Sequence, residues 1–247
     1  MSAKYVMVID QRRCVGCHTC AIACKSENNM PDGGAYSLNT VITESGITDL
    51  PVGDALSIQS NIITDTATYN RTKGPHIEYL TRSCQHCVDA PCVKNCPTNA
   101  TWQNEDGIVE MDTRLCINCQ ECINACPYNN MRVSLGVNPQ FSVDFVSGGQ
   151  GIYPSNGQTV KKCTFCSHRL YDDKLPPEDR KPFCIDHCPA RTRFFGDIND
   201  VNSEVYKVLA KAKAENRTIR SGSEAFPVRQ GFDATESKVY FIGHDYQ

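Results

Sequence analysis

No apolar run approaches the roughly 18 residues that a membrane-spanning helix needs. The longest near the start is Tyr-Val-Met-Val-Ile at residues 5–9. No hydrophobic stretch follows a basic one at the N-terminus, and a cysteine motif already opens at Cys14, so no signal peptide is read there. An excess of one charge is also missing. The 25 Lys and Arg stand against 28 Asp and Glu, a formal net charge of −3, which gives neither a basic surface for nucleic acid nor an acidic tail. No glycine-rich dinucleotide loop, phosphate loop, HExxH or nucleophile elbow is present. Ordinary apolar residues are scarce as well. Hydrophobic residues make up 40% of the chain, but setting the cysteines aside leaves about a third, below the usual share for a globular core. Such a chain needs staples, and metal binding can supply folding free energy directly.

Cysteine is what the chain has in quantity: 16 residues in four groups of four, with none left over. Group one is Cys14, Cys17, Cys20 and Cys24. Group two is Cys84, Cys87, Cys92 and Cys96. Group three is Cys116, Cys119, Cys122 and Cys126. Group four is Cys163, Cys166, Cys184 and Cys188. Group three reads C-x2-C-x2-C-x3-C-P and ends in Pro127, which resembles the bacterial ferredoxin run that binds [4Fe–4S] clusters. Group one has the same spacing, with Lys25 in place of the proline. Groups two and four widen the middle gap and end in Pro97 and Pro189. A cube of iron and sulfide needs three thiolates converging from one side, and cysteines three apart on a loop supply them. The fourth cysteine is expected to open a helix, face away and serve the neighbouring cluster. Zinc sites want two Cys pairs, and disulfides suit short secreted chains, so both rivals fit these runs poorly.

An internal repeat suggests which groups belong together. Asp10 precedes Cys14 by four residues, and Asp112 precedes Cys116 by four. Asn28-Asn29-Met30 follows group one, and Asn129-Asn130-Met131 follows group three. Groups one and three are therefore repeats, and groups two and four share the widened gap. Groups two and three are close in sequence and should form one two-cluster unit, leaving groups one and four as mates. The exchange of fourth cysteines then gives four expected ligand sets. Cluster one takes Cys14, Cys17, Cys20 and Cys188. Cluster two takes Cys24, Cys163, Cys166 and Cys184. Cluster three takes Cys84, Cys87, Cys92 and Cys126. Cluster four takes Cys96, Cys116, Cys119 and Cys122.

The expected fold class is α+β: two ferredoxin-like two-cluster units with long loop insertions and a C-terminal extension. One unit comprises residues 1–32 plus 160–197, and the other residues 76–135. The insertions are residues 33–75 and 136–159, read as surface over the clusters or against a partner. The extension, 198–247, is expected to hold one helix. Short strands are expected at 5–9, 108–111, 193–197 and 238–243, with a hairpin turn at Asn104-Glu105-Asp106-Gly107. Helices should begin at Cys20, Pro91, Cys122 and Phe183. Helical spacing over 203–214 puts Val205, Val208 and Leu209 on one face, with Ser203 as N-cap. His18, His86, His168 and His187 lie in or beside the groups. With four thiolates already in each group, hydrogen bonding or exposure is expected of them rather than ligation. Arg12, Arg13, Lys25, Lys161, Lys162, Arg169, Arg191 and Arg193 crowd groups one and four. They read either as solvated charge or as compensation for anionic clusters.

The four groups, with Cys84-Gln-His-Cys87-Val-Asp-Ala-Pro-Cys92 and Cys163-Thr-Phe-Cys166, resemble the iron–sulfur (beta) subunits of molybdopterin oxidoreductases of the dimethyl sulfoxide reductase family. The resemblance implies four [4Fe–4S] clusters in a linear relay. It also implies a large catalytic partner carrying a molybdenum or tungsten bis-pterin, and a membrane anchor or other electron donor as a further partner. Some relatives lack a group-three cysteine and hold a [3Fe–4S] cluster, but Cys116, Cys119 and Cys122 are all present here. The chain is thus expected to be a non-catalytic electron-transfer subunit, with a free polyferredoxin serving several redox partners as the alternative. Its own sequence points to the cytoplasm. The periplasm is the alternative, reached by co-export with a signal-bearing catalytic subunit.

Overall fold

The computed structural model describes residues 4–31, 37–44, 78–128, 131–136, 158–226 and 228–243. Most of both insertions, and Asn129 and Asn130 of the repeat, lie outside these residues.

The first apolar run forms β1 (Tyr5–Asp10), buried on both faces. Its side chains alternate with the period of two that a strand imposes. Val6 and Val8 face one layer, and Met7 and Ile9 face the other. Four further strands flank the second and third groups: β2 (Asn39–Glu44), β3 (Glu78–Ser83), β4 (Thr101–Gln103) and β5 (Val109–Met111). Next come β6 (Arg132–Leu135), β7 (Thr159–Lys162) and β8 (Arg193–Asp197). The extension adds β9 (Ile219–Ser221) and β10 (Val239–Ile242).

The strand leaving each cysteine group pairs antiparallel with the strand entering the next. β2 pairs with β3 from Asn39↔Ser83 to Glu44↔Glu78, and β4 with β5 from Thr101↔Met111. β6 pairs with β7 from Arg132↔Lys162 to Leu135↔Thr159. β8, leaving group four, closes the ring on β1, which enters group one, with Tyr5↔Asp197 and Ile9↔Arg193. Groups one and four therefore meet across the whole chain. β10 lies parallel to β1 on its other edge, giving the sheet order β8-β1-β10-β9.

The helices are short. α1 (Thr19–Glu27), α2 (Pro91–Lys94), α3 (Glu121–Asn124) and α5 (Phe183–Asp186) begin one residue before the third cysteine of their group. The expectation that the fourth cysteine opens a helix is corrected. Cys96, Cys126 and Cys188 follow the ends of α2, α3 and α5. Each precedes a proline, which pushes its own backbone out of the helical region. In group one Lys25 replaces the proline, and α1 runs on through Cys24.

α4 (Ser167–Leu170) was not expected from sequence. The extension holds α6 (Glu204–Ala214), capped by Ser203, whose Oγ accepts the Tyr206 N–H. It also holds a second helix, α7 (Gly222–Ala225), which the single-helix expectation missed. α7 is only four residues long and carries no apolar periodicity; a Ser221–Glu224 capping box defines it. α6 packs Val205, Leu209 and Ala212 on Val6, Val8 and Ile242, away from the cysteines. The opposite face of the sheet, Met7, Ile9, Val239 and Phe241, belongs to the main core together with cysteines of all four groups.

Candidate metal centres

One backbone feature is common to all four groups. The second residue after the first cysteine has a left-handed conformation: Gly16 (φ 65°), His86 (47°), Asn118 (55°) and Phe165 (55°). His18 and Gln120, each just before its helix, repeat it in groups one and three. Such a residue reverses the backbone between thiols and turns amide N–H groups toward sulfur. Asn118 N donates to Cys116 Sγ and Phe165 N to Cys163 Sγ, both at 3.4 Å. From outside the loops, Val160 N donates to Cys116 Sγ at 3.4 Å and Thr235 Oγ1 to Cys87 Sγ at 3.0 Å. The repeated aspartates act alike. Asp10 accepts from the amide and guanidinium of Arg12, and Asp112 from those of Arg114, fixing the entry to groups one and three.

All sixteen cysteines are free thiols. Their mutual charges show which come together. Burial, then Cys163, Cys166 and Cys184, hold Cys24 well above the usual thiol range. Burial and the charges of Cys84, Cys92 and Cys87 push Cys126 up to about 12. Burial raises Cys14, with Cys20 and Cys188 adding to the effect. Burial raises Cys122 too, Arg132 opposes it, and Cys92 of group two adds to it ahead of Cys116 and Cys96. Two cavities match. One is lined by Cys24, Cys163, Cys166 and Cys184, the other by Cys84, Cys87, Cys92 and Cys126.

Cys96 and Cys188 titrate low. Burial raises both, but hydrogen bonds around Thr98 and Thr101, and around Thr192, outweigh it. Four buried thiolates cannot share a cavity without positive charge among them. Among the described residues, no three His, Cys, Asp or Glu side chains converge on a point that would hold a single metal ion. Four thiols line each of the two cavities, and that is the ligand complement an iron–sulfur cube takes. The donor set fits the cube.

Three of the four histidines have partners other than sulfur. His168 Nε2 meets Glu27 Oε1 at 2.8 Å, and His187 Nδ1 lies 3.1 Å from Phe183 O. His86 is buried, stacks on Phe165 at 3.6 Å and accepts the Val109 N–H at Nδ1. Burial, then Lys162, Lys238 and Arg132, hold its pKa well below the usual imidazole range, so it is neutral.

The basic residues divide. Arg13 and Arg191 are exposed, while Lys161, Lys162 and Arg193 are buried. Burial lowers Lys161 to about 8 against the charge of Cys24. Lys162 Nζ donates to the carbonyls of Val109 and Cys163. The sequence reading missed Arg132, which is buried against Cys92, and Thr235. Arg132 could have been found by comparing exits, since it follows Cys126 much as Arg193 follows Cys188.

The description 4Fe-4S dicluster domain matches twice, over residues 6–97 and 75–139. The first match spans groups one and two in sequence order, whereas in the structure the thiols of group one meet those of group four. Relatives are similar over most of their length. A protein of Halobacterium salinarum named as a dimethyl sulfoxide reductase iron–sulfur subunit is 41% identical over 90% of this chain and 76% of its own. A polysulfide reductase chain of Wolinella succinogenes is 35% identical over 85% of each. A tetrathionate reductase subunit of Salmonella typhimurium is 29% identical over 98% of this chain and 73% of its own. No helix among the described residues is long and apolar enough to cross a membrane. The protein belongs to the family of iron–sulfur subunits of molybdopterin reductases, and its function is electron transfer.

Proposed function

We propose that the chain relays single electrons through four [4Fe–4S] clusters, to or from a catalytic subunit that carries a molybdenum or tungsten bis-pterin. Cys14, Cys17, Cys20 and Cys188 hold the first cluster, and Cys24, Cys163, Cys166 and Cys184 the second. Cys84, Cys87, Cys92 and Cys126 hold the third, and Cys96, Cys116, Cys119 and Cys122 the fourth. When bound, each cluster supplies a reversible one-electron store. The chain holds it, excludes water from the inner two, and tunes it with N–H, hydroxyl and cationic groups near sulfur.

The observation that carries the reading is the meeting of each fourth cysteine with a distant group. Cys24 feels Cys163, Cys166 and Cys184, and Cys126 feels Cys84, Cys87 and Cys92. The order of the relay has its own support. Cys184 also feels Cys20, Cys163 feels Cys84, and Cys122 feels Cys92. These electrostatic couplings link set one to two, two to three, and three to four. Cys17 and Cys119, in the outer sets, are the exposed cysteines. Exposed apolar residues flank both, Val15 and Ile22 at one end and Leu115 and Ile117 at the other. An electron donor and an acceptor can therefore each meet an outer cluster. The catalytic subunit takes one end, and a membrane anchor or other donor takes the other. The relatives are named as components of reductases, which favours this over a polyferredoxin free in solution. A periplasmic site, reached with a signal-bearing partner, is compatible with a chain that brings no membrane helix in its described residues.

Iron and sulfide analysis of the anaerobically purified complex tests the count, and about sixteen irons per chain are expected. Cys188→Ser tests the sets. Its EPR change should fall on the cluster held by Cys14, Cys17 and Cys20. A change confined to the cluster of group two or three would defeat the pairing.

A further inference from the structure

Each half of the cysteine architecture buries one guanidinium. Arg132, the first residue of β6, is 6% exposed, and Arg193, the first residue of β8, is 4% exposed. Arg132 Nη2 donates to Cys92 Sγ at 2.9 Å and to Thr101 Oγ1 at 3.2 Å. Arg193 Nη1 donates to Cys184 Sγ at 3.4 Å, and its Nη2 to Asn39 Oδ1 at 3.2 Å. Each also touches a methionine sulfur, Met111 at 3.8 Å for Arg132 and Met7 at 3.6 Å for Arg193. Among the described residues neither has a carboxylate partner.

A guanidinium does not shed its proton, and an unmatched buried charge is costly, so negative charge must lie beside it. Here that charge is sulfur. Burial would lower the pKa of Arg132, but Cys92, Cys122 and Cys84 raise it above its ordinary value. Burial opposes Arg193 in the same way, and Cys20, Cys184 and Cys188 outweigh it.

The two neighbourhoods correspond at two of their three cysteines, and differ at the third, where Cys84 opens group two and Cys188 closes group four. Cys92 and Cys184 are the third cysteines of groups two and four. Cys122 and Cys20 are the third cysteines of groups three and one. In each half the guanidinium thus lies among thiolates of two different ligand sets. Arg132 bonds a sulfur of set three and feels the charge of Cys122 in set four, and Arg193 bonds a sulfur of set two and feels Cys20 and Cys188 in set one.

Resting on that reading of the sets, we propose that Arg132 and Arg193 are equivalent positioning cations, one between the two clusters of each half. Each raises the potentials of its own two clusters and screens the repulsion that reducing one imposes on the other. The reason is Coulombic. Each reduction adds one negative charge, a fixed cation near the ligand sulfur favours the reduced form, and a buried site screens that attraction weakly. A cation between two anionic centres also weakens their mutual repulsion.

The test is potentiometric EPR on the complete complex, with signals assigned by Cys126→Ser and Cys24→Ser. Arg132→Gln should reduce the equilibrium constant for reduction of clusters three and four at least tenfold, about 59 mV for a one-electron couple. Clusters one and two should stay in place. Arg193→Gln should do the converse, and the lysine variants at both sites should recover most of the shift. Thr101→Val, which removes the hydroxyl that accepts from Arg132 and donates to Glu110 O, should move clusters three and four in the same direction by less.

Unmoved potentials in a fully loaded Arg132→Gln complex would overturn the proposal. An equal shift of all four clusters would do so too, as would a lysine variant no better than glutamine. Should Arg132→Gln lose iron, Thr101→Val decides, and unmoved potentials there count against the proposal. Failure of the ligand sets themselves would show differently. The unsubstituted complex would hold fewer than four clusters, or Cys126→Ser would disturb a cluster other than the one held by Cys84, Cys87 and Cys92.

Discussion

At the scale of single residues, the loops are shaped by where the backbone must turn left. Four residues of very different chemistry, Gly16, His86, Asn118 and Phe165, fill one structural position. Glycine and asparagine accept that conformation readily, while a histidine and a phenylalanine are held there by their surroundings. His86 and Phe165 stack on each other, so each braces the other's loop. Gly16 has a second constraint. A Cβ there would lie 2.3 Å from the Tyr79 ring. Gly16→Ala therefore faces a left-handed penalty of about 1–2 kcal/mol as well as the displacement of that ring. The thermal midpoint of the complex should fall, and the cluster of Cys14, Cys17 and Cys20 should lose iron before the others. Calorimetry with iron analysis checks both. A variant with full iron and an unchanged midpoint would show that neither the turn nor the contact matters.

At the scale of elements, local signals carried far and non-local ones did not. β1, the hairpin of β4 and β5, β8 and the amphipathic α6 were legible because alternation, a turn sequence and a 3.6-residue period lie within a few residues of each other. The cysteine spacing was legible for the same reason. The pairings of β2 with β3 and of β6 with β7 were not, because each joins strands separated by a long cysteine-free insertion. Arg132 was hidden by the same distance: only the fold brings it from β6 to the sulfur of Cys92, forty residues away. The end of a helix at Cys-Pro was written in the sequence, but it was read as a beginning. α6 gives a control for all of this, because it covers the face of the sheet away from the clusters. Leu209→Ala should cost about 2–4 kcal/mol of stability, measured by denaturant unfolding. It should leave all four cluster potentials where they were. A potential that moved would mean that the layer under α6 reaches the cages.

At the scale of the whole molecule, four strand pairings run as a ring from group one round to group four, and the relay proposed above follows them in series. In that proposal the sets are coupled electrostatically from Cys20 with Cys184, through Cys163 with Cys84, to Cys92 with Cys122. The C-terminal segment ties group two to the central sheet. Lys238 N donates to Gln85 O and Val88 N to Glu236 O, on either side of Cys87, whose sulfur accepts the Thr235 hydroxyl. A series arrangement has no bypass, and that is testable without knowing the partner's substrate. Cys166→Ser should disable the second cluster alone. The third and fourth should still be reduced by a small chemical reductant, which needs no path through the protein. Electrons entering at one end should no longer reach the other, so turnover that uses both ends should fall by orders of magnitude. Rapid-freeze EPR would show clusters three and four on one side of the break and cluster one on the other, each in equilibrium only with its own end. Continued exchange between cluster one and cluster four at the original rate would overturn the serial order proposed for the relay.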